Sequence, residues 1–293
     1  MFIIKYRKIF FAISGILVAL AIFSVSFYGL NLGIDFKGGS ILEVSYPDQR
    51  PELSVIDKNI KNTIDGQVLV QPTGDDGFIV RAEGSNDGVR KALLSALSLN
   101  GKVNLKEKRF NAIGPTIGAE LRSKAWIAIV TVVIAIIFFI AYVFRHVSEP
   151  VSSWKYGGIA IVALAHDIII PTGIFAFLGY EINSLFIIAL LAILGLSIND
   201  TIVVFDRVRE NLKNKISRDF KETVGKSLEQ TFARSINTSL TTLFVLLTLY
   251  FIGPDTTQNF ALVLALGIFF GTYSSIFLAS PLLVVMERLQ NKK

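Results

Sequence analysis

The chain has 293 residues, 52% of them hydrophobic before its 22 Gly are counted, and only 18% charged; mean hydropathy is +0.56. That excludes a disordered chain and a soluble globular one. With no Cys and two His, it also excludes a disulfide framework, a thiolate metal site and a typical zinc site. A bilayer core of about 30 Å needs roughly 20 apolar residues per helix, and six runs meet this. The first, Ile9 to Leu30, is uncharged and follows Lys5, Arg7 and Lys8. At 22 residues it is longer than the apolar region of a signal peptide, so an uncleaved anchor is expected.

Between the first and second runs, residues 31–124 contain no spanning segment and are nearly neutral, with 13 Lys/Arg against 12 Asp/Glu. Gly33-Ile-Asp35-Phe-Lys-Gly38-Gly39-Ser40 opens this region. Its three Gly suggest tight backbone geometry or close approach to another chain, with Gly33, Asp35, Gly38 and Gly39 as a motif or hinge. It lacks phosphate-loop spacing. Strands are expected at 41–46, 67–73, 77–82 and 101–109, and helices at 51–64 and 85–99. The order βαββαβ is that of an α+β ferredoxin-like domain. Asp75-Asp76 reads as a solvated turn, and Ile113 to Leu121 as a shaped hinge into the second run.

The remaining runs are Ala125–Phe144, Tyr156–Tyr180, Ile182–Phe205, Ser235–Pro254 and Thr256–Met286. The expected organisation is a first span over residues 1–30, the extracytoplasmic domain over 31–124, and spans two to six over 125–293 with a cytoplasmic loop at 206–234. Basic residues fix the orientation: 16 Lys/Arg fall in the N-terminus, the loops after spans two and four, and the C-terminus, and none in the short loops around Glu181 and Asp255. Both termini are therefore expected in the cytoplasm.

Ionisable residues at membrane depth are costly and point to function. Asp167 stands near the middle of span three, Asp200 two-thirds along span four, and Arg234 at the start of span five. Arg234, Thr238, Thr241 and Thr248 share one stripe of span five; Ser197, Asp200, Val204 and Arg207 share a face of span four. Such stripes face each other, another protein or water. The bland alternative is an Asp–Arg pair and Ser/Thr bonds serving packing; for Asp167 it weighs as much as the functional reading, and His166 reads as a hydrogen-bonded core residue. Pro171 should free the Asp167 carbonyl and kink span three. Gly267 and Gly271, with Thr272, Ser274, Ser275 and Ser280, read as close helix packing on span six.

GIDFKGGS at 33–40, IGPTIGAEL at 113–121, AHDIII at 165–170, SINDTIVVFDRVREN at 197–211, RSINTSLTT at 234–242 and GTYSSIFLASPL at 271–282 together resemble the SecF family, the smaller partners of SecD in bacterial protein export. They span nearly the whole chain in the expected order. The resemblance implies a relationship to the resistance-nodulation-division exporters and a location in the bacterial inner membrane. It implies a SecD partner, association with the SecYEG channel, YajC as companion, and unfolded preproteins as clients. It further implies late, ATP-independent translocation driven by the proton gradient, with no cofactor and no nucleic-acid partner. In that family the residues matching Asp200 and Arg234 are implicated in proton passage; Asp167 is a weaker candidate for the same relay. The alternatives are a half-size exporter of small molecules or lipids, an intramembrane aspartyl protease, which the absence of GxGD opposes, and a structural scaffold.

Overall fold

The computed structural model describes residues 2–64, 68–145 and 151–290. Gln67, expected to open the second strand, and Lys292 and Lys293, counted among the cytoplasmic cations, lie outside the described residues. Two compact units form: Leu32–Trp126, and Met1–Asn31 with Ile127–Lys293.

The smaller unit is a four-stranded antiparallel sheet with two helices. β1 (Gly39–Ser45), α1 (Leu53–Thr63), β2 (Val68–Thr73), β3 (Gly77–Ala82), α2 (Asp87–Leu97) and β4 (Lys106–Ile113) follow in that order. The sheet order is β2-β3-β1-β4, the ferredoxin-like arrangement the pattern predicts. Alternation along β1 and β3 sends Leu42, Val44, Phe78 and Val80 onto Ile56 and Ile60 of α1 and Leu93 and Leu97 of α2. Asn86 caps α2, its side chain accepting from the Val89 amide at 2.9 Å.

The fourth strand begins five residues later than expected. Leu99, Asn100 and Gly101 all adopt positive φ. The Asn100 and Val103 amides bond back to the Ser95 and Ser98 carbonyls, so the chain reverses at the end of α2 before it can pair. The glycine motif has the tight backbone geometry its composition suggests. Gly38 and Gly39 have φ of +81° and +128°, and a Cβ at Gly38 would stand 2.9 Å from Pro115 Cα, one at Gly39 2.8 Å from the Ala82 carbonyl oxygen. Gly39 is already paired in β1, opposite Ile113. Asp35 sits in a single helical turn, Ile34–Lys37, opened by Gly33, whose carbonyl accepts from the Phe36 and Lys37 amides. A Cβ on Gly118 would lie 3.0 Å from the Gly38 nitrogen. The two glycine-bearing motifs are thus packed closely against each other. The segment from Pro115 on is the start of span two itself.

Among the described residues, six helices are long and apolar enough to cross a membrane. They are span one (Arg7–Tyr28), span two (Pro115–Val143), span three (Ser153–Leu178), span four (Ser184–Lys213), span five (Phe220–Ile252) and span six (Asp255–Gln290, interrupted by one π turn). Span three remains one helix through Pro171. Its Gly173 lets span one approach so closely that a Cβ would fall 2.4 Å from Ala21 Cα, and Ser24 donates to the Gly173 carbonyl at 2.9 Å.

The polar stretch 206–234, expected as a loop, is mostly helix. Spans four and five continue through it and turn only at residues 214–219. Hydropathy marks the depth of the bilayer, whereas the helices end where burial ends. Val208, Val224 and Leu228 are buried, and Asn211 donates to Ser227 Oγ and Gln230 Oε1, each at 2.8 Å. The N-terminal turn Phe2–Lys5 adds fully buried Ile4 to the same cluster.

Candidate functional site: two carboxyls against span six

Asp200 is half-buried on span four. Its Oδ2 accepts from Thr272 Oγ1 on span six at 3.3 Å and from Ser239 Oγ on span five at 3.4 Å. The two hydroxyl oxygens are 2.5 Å apart. Each also reaches a carbonyl one turn back on its own helix, Ser235 for Ser239 at 2.8 Å and Ile268 for Thr272 at 2.9 Å. A hydroxyl with two acceptors can give its proton to a carboxylate, or turn it to the backbone and accept from a carboxylic acid. The surroundings of Asp200 therefore serve both of its protonation states.

A hollow of about 50 Å³ opens beside Asp200, bordered also by Ser197, Asn199, Thr238, Thr242 and Thr272. Arg234 stands one turn before Thr238, which donates to its carbonyl at 2.9 Å. The Arg234 side chain is exposed and, among the described residues, forms no ion pair with Asp200. The stripe of Arg234, Thr238, Thr241 and Thr248 is exposed along its whole length, while the neighbouring Ser235 and Ser239 turn inward.

Asp167 lies elsewhere. It is fully buried among spans three, four and six. Its Oδ1 meets His166 Nδ1 at 2.9 Å, and its Oδ2 accepts from Ser274 Oγ at 2.8 Å and from Ser197 Oγ. Below it, Thr201 and Ser275 join spans four and six at 2.8 Å. Span six passes both carboxyls because its glycines let it. A Cβ on Gly267 would stand 2.2 Å from Ile193 side-chain carbons, and one on Gly271 3.1 Å from Ser197 Cβ.

From the sequence, Thr272, Ser274 and Ser275 read as packing residues. They pack, and the first two also hold the carboxyls. The signal was present as hydroxyls flanking a glycine pair, but which face of span four they oppose is a tertiary fact. The π turn at Ser275–Ala279 was not anticipated. Pro281 cannot donate to the Phe277 carbonyl and crowds it. The helix widens, and Ser280 Oγ donates to the Ser275 carbonyl at 2.7 Å. Such turns recur at functional sites.

Comparison with known proteins decides the family. The family described as "Protein export membrane protein SecD/SecF, C-terminal" matches residues 94–289, and "SecD/SecF GG Motif" matches residues 23–46. The chain belongs to the SecD/SecF family. Protein translocase subunit SecF of Thermobaculum terrenum is 37% identical over 97% of this chain and 93% of its own length. Its counterpart from Haemophilus influenzae is 35% identical over 94% and 82%. Among solved structures, SecDF from Thermus thermophilus, described as a translocon-associated membrane protein, superposes with a TM-score of 0.83 at 33% identity over 97% of this chain. A SecDF structure in a super-membrane-facing form gives 0.70 at 32% identity. In both cases this chain spans 38% of the SecDF chain.

Proposed function

We propose that this chain is the SecF subunit of a SecD–SecF complex in the bacterial inner membrane, with both termini in the cytoplasm. It uses the proton gradient to promote late, ATP-independent passage of unfolded preproteins through the SecYEG channel, with YajC as a companion. One observation supports this most: Asp200 is held by hydroxyls that suit either protonation state, while Arg234, the cation expected to pair with it, is exposed on span five and, among the described residues, forms no ion pair with it. A packing pair would be closed. An open one can cycle.

Arg234 stays charged throughout. When it approaches Asp200 it favours the carboxylate, and when it withdraws Asp200 can reload. A proton crossing about 100 mV gains about 2.3 kcal/mol, enough to bias a two-state helix arrangement. The exposed stripe of span five, where Leu240, Phe244 and Val245 lie beside Thr238 and Thr241, is a surface for SecD. Polar groups facing lipid alone would be unfavourable there.

In the assembled complex, Asp200→Asn is expected to leave folding and SecD association intact and to abolish proton-dependent export. Arg234→Met should do the same, and Arg234→Lys should keep part of the activity. Export by Asp200→Asn at the normal rate, with normal dependence on the gradient, would refute the relay and leave the scaffold reading.

A further inference from the structure

Among the described residues, buried Asp167 is met by no lysine or arginine. Its partners are His166, Ser197 and Ser274. His166 is itself buried, with Nε2 unpartnered. Its ring stacks on Tyr273 of span six at 5.9 Å, whose hydroxyl donates to the Phe10 carbonyl of span one at 3.3 Å. The titratable groups facing the carboxyl are therefore His166 on its own helix, Tyr273 across the imidazole, and Asp200 three residues beyond Ser197 on span four.

Two features separate this cluster from a fixed packing device. Ser274 has a second acceptor, the Gly271 carbonyl at 3.0 Å, so its proton can turn away when Asp167 carries one. This is the same property that the hydroxyls at Asp200 have. Ser197 also belongs to both sites: it donates to Asp167 and borders the hollow that Asp200 borders. That hollow has room for about one or two waters.

Resting on the proton-coupled reading of Asp200, we propose that Asp167 and His166 form a second proton-holding pair in series with Asp200, with Ser197 as the hydroxyl between them. The acidic proton of Asp167 passes to Ser197 Oγ as Ser197 releases its own hydroxyl proton to a water in the hollow. That water gives one proton to Asp200. Asp167 ends ionised and Asp200 neutral, with the serine and the water unchanged. His166 Nδ1–H then donates to the new carboxylate, and Ser274 turns its proton from Gly271 to Oδ2. Because the route runs from the middle of the bilayer to its cytoplasmic third, the pair loads from the outer side and Asp200 discharges inward.

The test is infrared difference spectroscopy of the purified complex with SecD between high and low pH, combined with export driven by the proton gradient. Two carboxylic-acid bands should change with pH. Asp200→Asn should remove one and Asp167→Asn the other. Ser197→Ala, which keeps the packing volume, should slow loading of Asp200 and gradient-driven export about tenfold or more. The series arrangement is overturned if Asp167→Asn removes no pH-dependent band, or if Ser197→Ala exports at the parental rate. Should Asp167→Asn fail to assemble, the Ser197→Ala rate decides alone. Loss of export in Asp200→Asn alongside a silent Ser197→Ala sinks only the series, whereas normal export in Asp200→Asn sinks the relay as a whole.

Discussion

At the scale of single residues, two hydrogen atoms in place of side chains allow span six to pass the carboxyls. Gly267 faces Ile193 so closely that a methyl group would need a side chain to move by more than an ångström. Gly267→Ala is expected to destabilise the folded protein by about 1–3 kcal/mol, read as a lower unfolding temperature of the detergent-solubilised chain. Asp200 and Arg234 were legible in the sequence because charges at membrane depth are rare enough to stand out singly. Thr272 and Ser274 were not. A hydroxyl in a membrane helix can always bond its own backbone, as both do here, so its presence does not say whether it also serves a neighbour. Nor did the sequence show that Arg234 leaves Asp200 unpaired, since helical offsets fix a face and not a contact across helices.

At the scale of elements, the four-stranded sheet was readable from alternation and from the turn at Gly74–Gly77, the first helix from Pro51 at its start and the second from its Asn86 cap. The start of β4 was not, because Leu99 and Asn100 take up positive φ, a conformation that favours glycine, to close the end of α2. Tyr46, just past β1, donates its hydroxyl to the Leu97 carbonyl at 3.0 Å and fixes α2 over the sheet. Burial pushes its phenol up from 10.0 to about 12. The neutral form is thus favoured in the folded state. Its contribution is whole below the ordinary value of 10.0 and is lost as pH rises through about 12, on the order of 2 kcal/mol. In the full chain, resistance of the Leu32–Trp126 unit to proteolysis should fall over that range, and the fall should be shallower in Tyr46→Phe. An equal slope in both would show that the phenol does not contribute.

At the scale of the whole molecule, six apolar runs were enough to locate the six long helices. Hydropathy missed helix where it carries polar residues, before Ala125 in span two and in spans four and five between Asp206 and Arg234. Their amphipathic burial there is carried by Val208, Val224 and Leu228, too few and too widely spaced to register as an apolar run. The absence of native Cys makes the topology directly measurable. With an impermeant thiol reagent on cells whose outer face is accessible, Asp75→Cys should label and Asn214→Cys should label only after the membrane is opened. Both residues are exposed and sit in turns, so neither substitution disturbs a buried contact. The reverse pattern would invert the assignment of both termini.

The wide turn at Ser275–Ala279 amounts to one residue more than an α-helix would hold over the same stretch. Removing a residue elsewhere in span six would rotate everything beyond it by about 100° and carry Thr272 or Ser280 off its neighbour. Removing one inside the turn would let the helix close into a regular spiral with both halves still aimed as before. Span six is therefore tolerant of a length change at one place only. That place lies directly beyond Ser274, so a twist between the half that faces the carboxyls and the half that runs to Gln290 can be taken up there without breaking the helix.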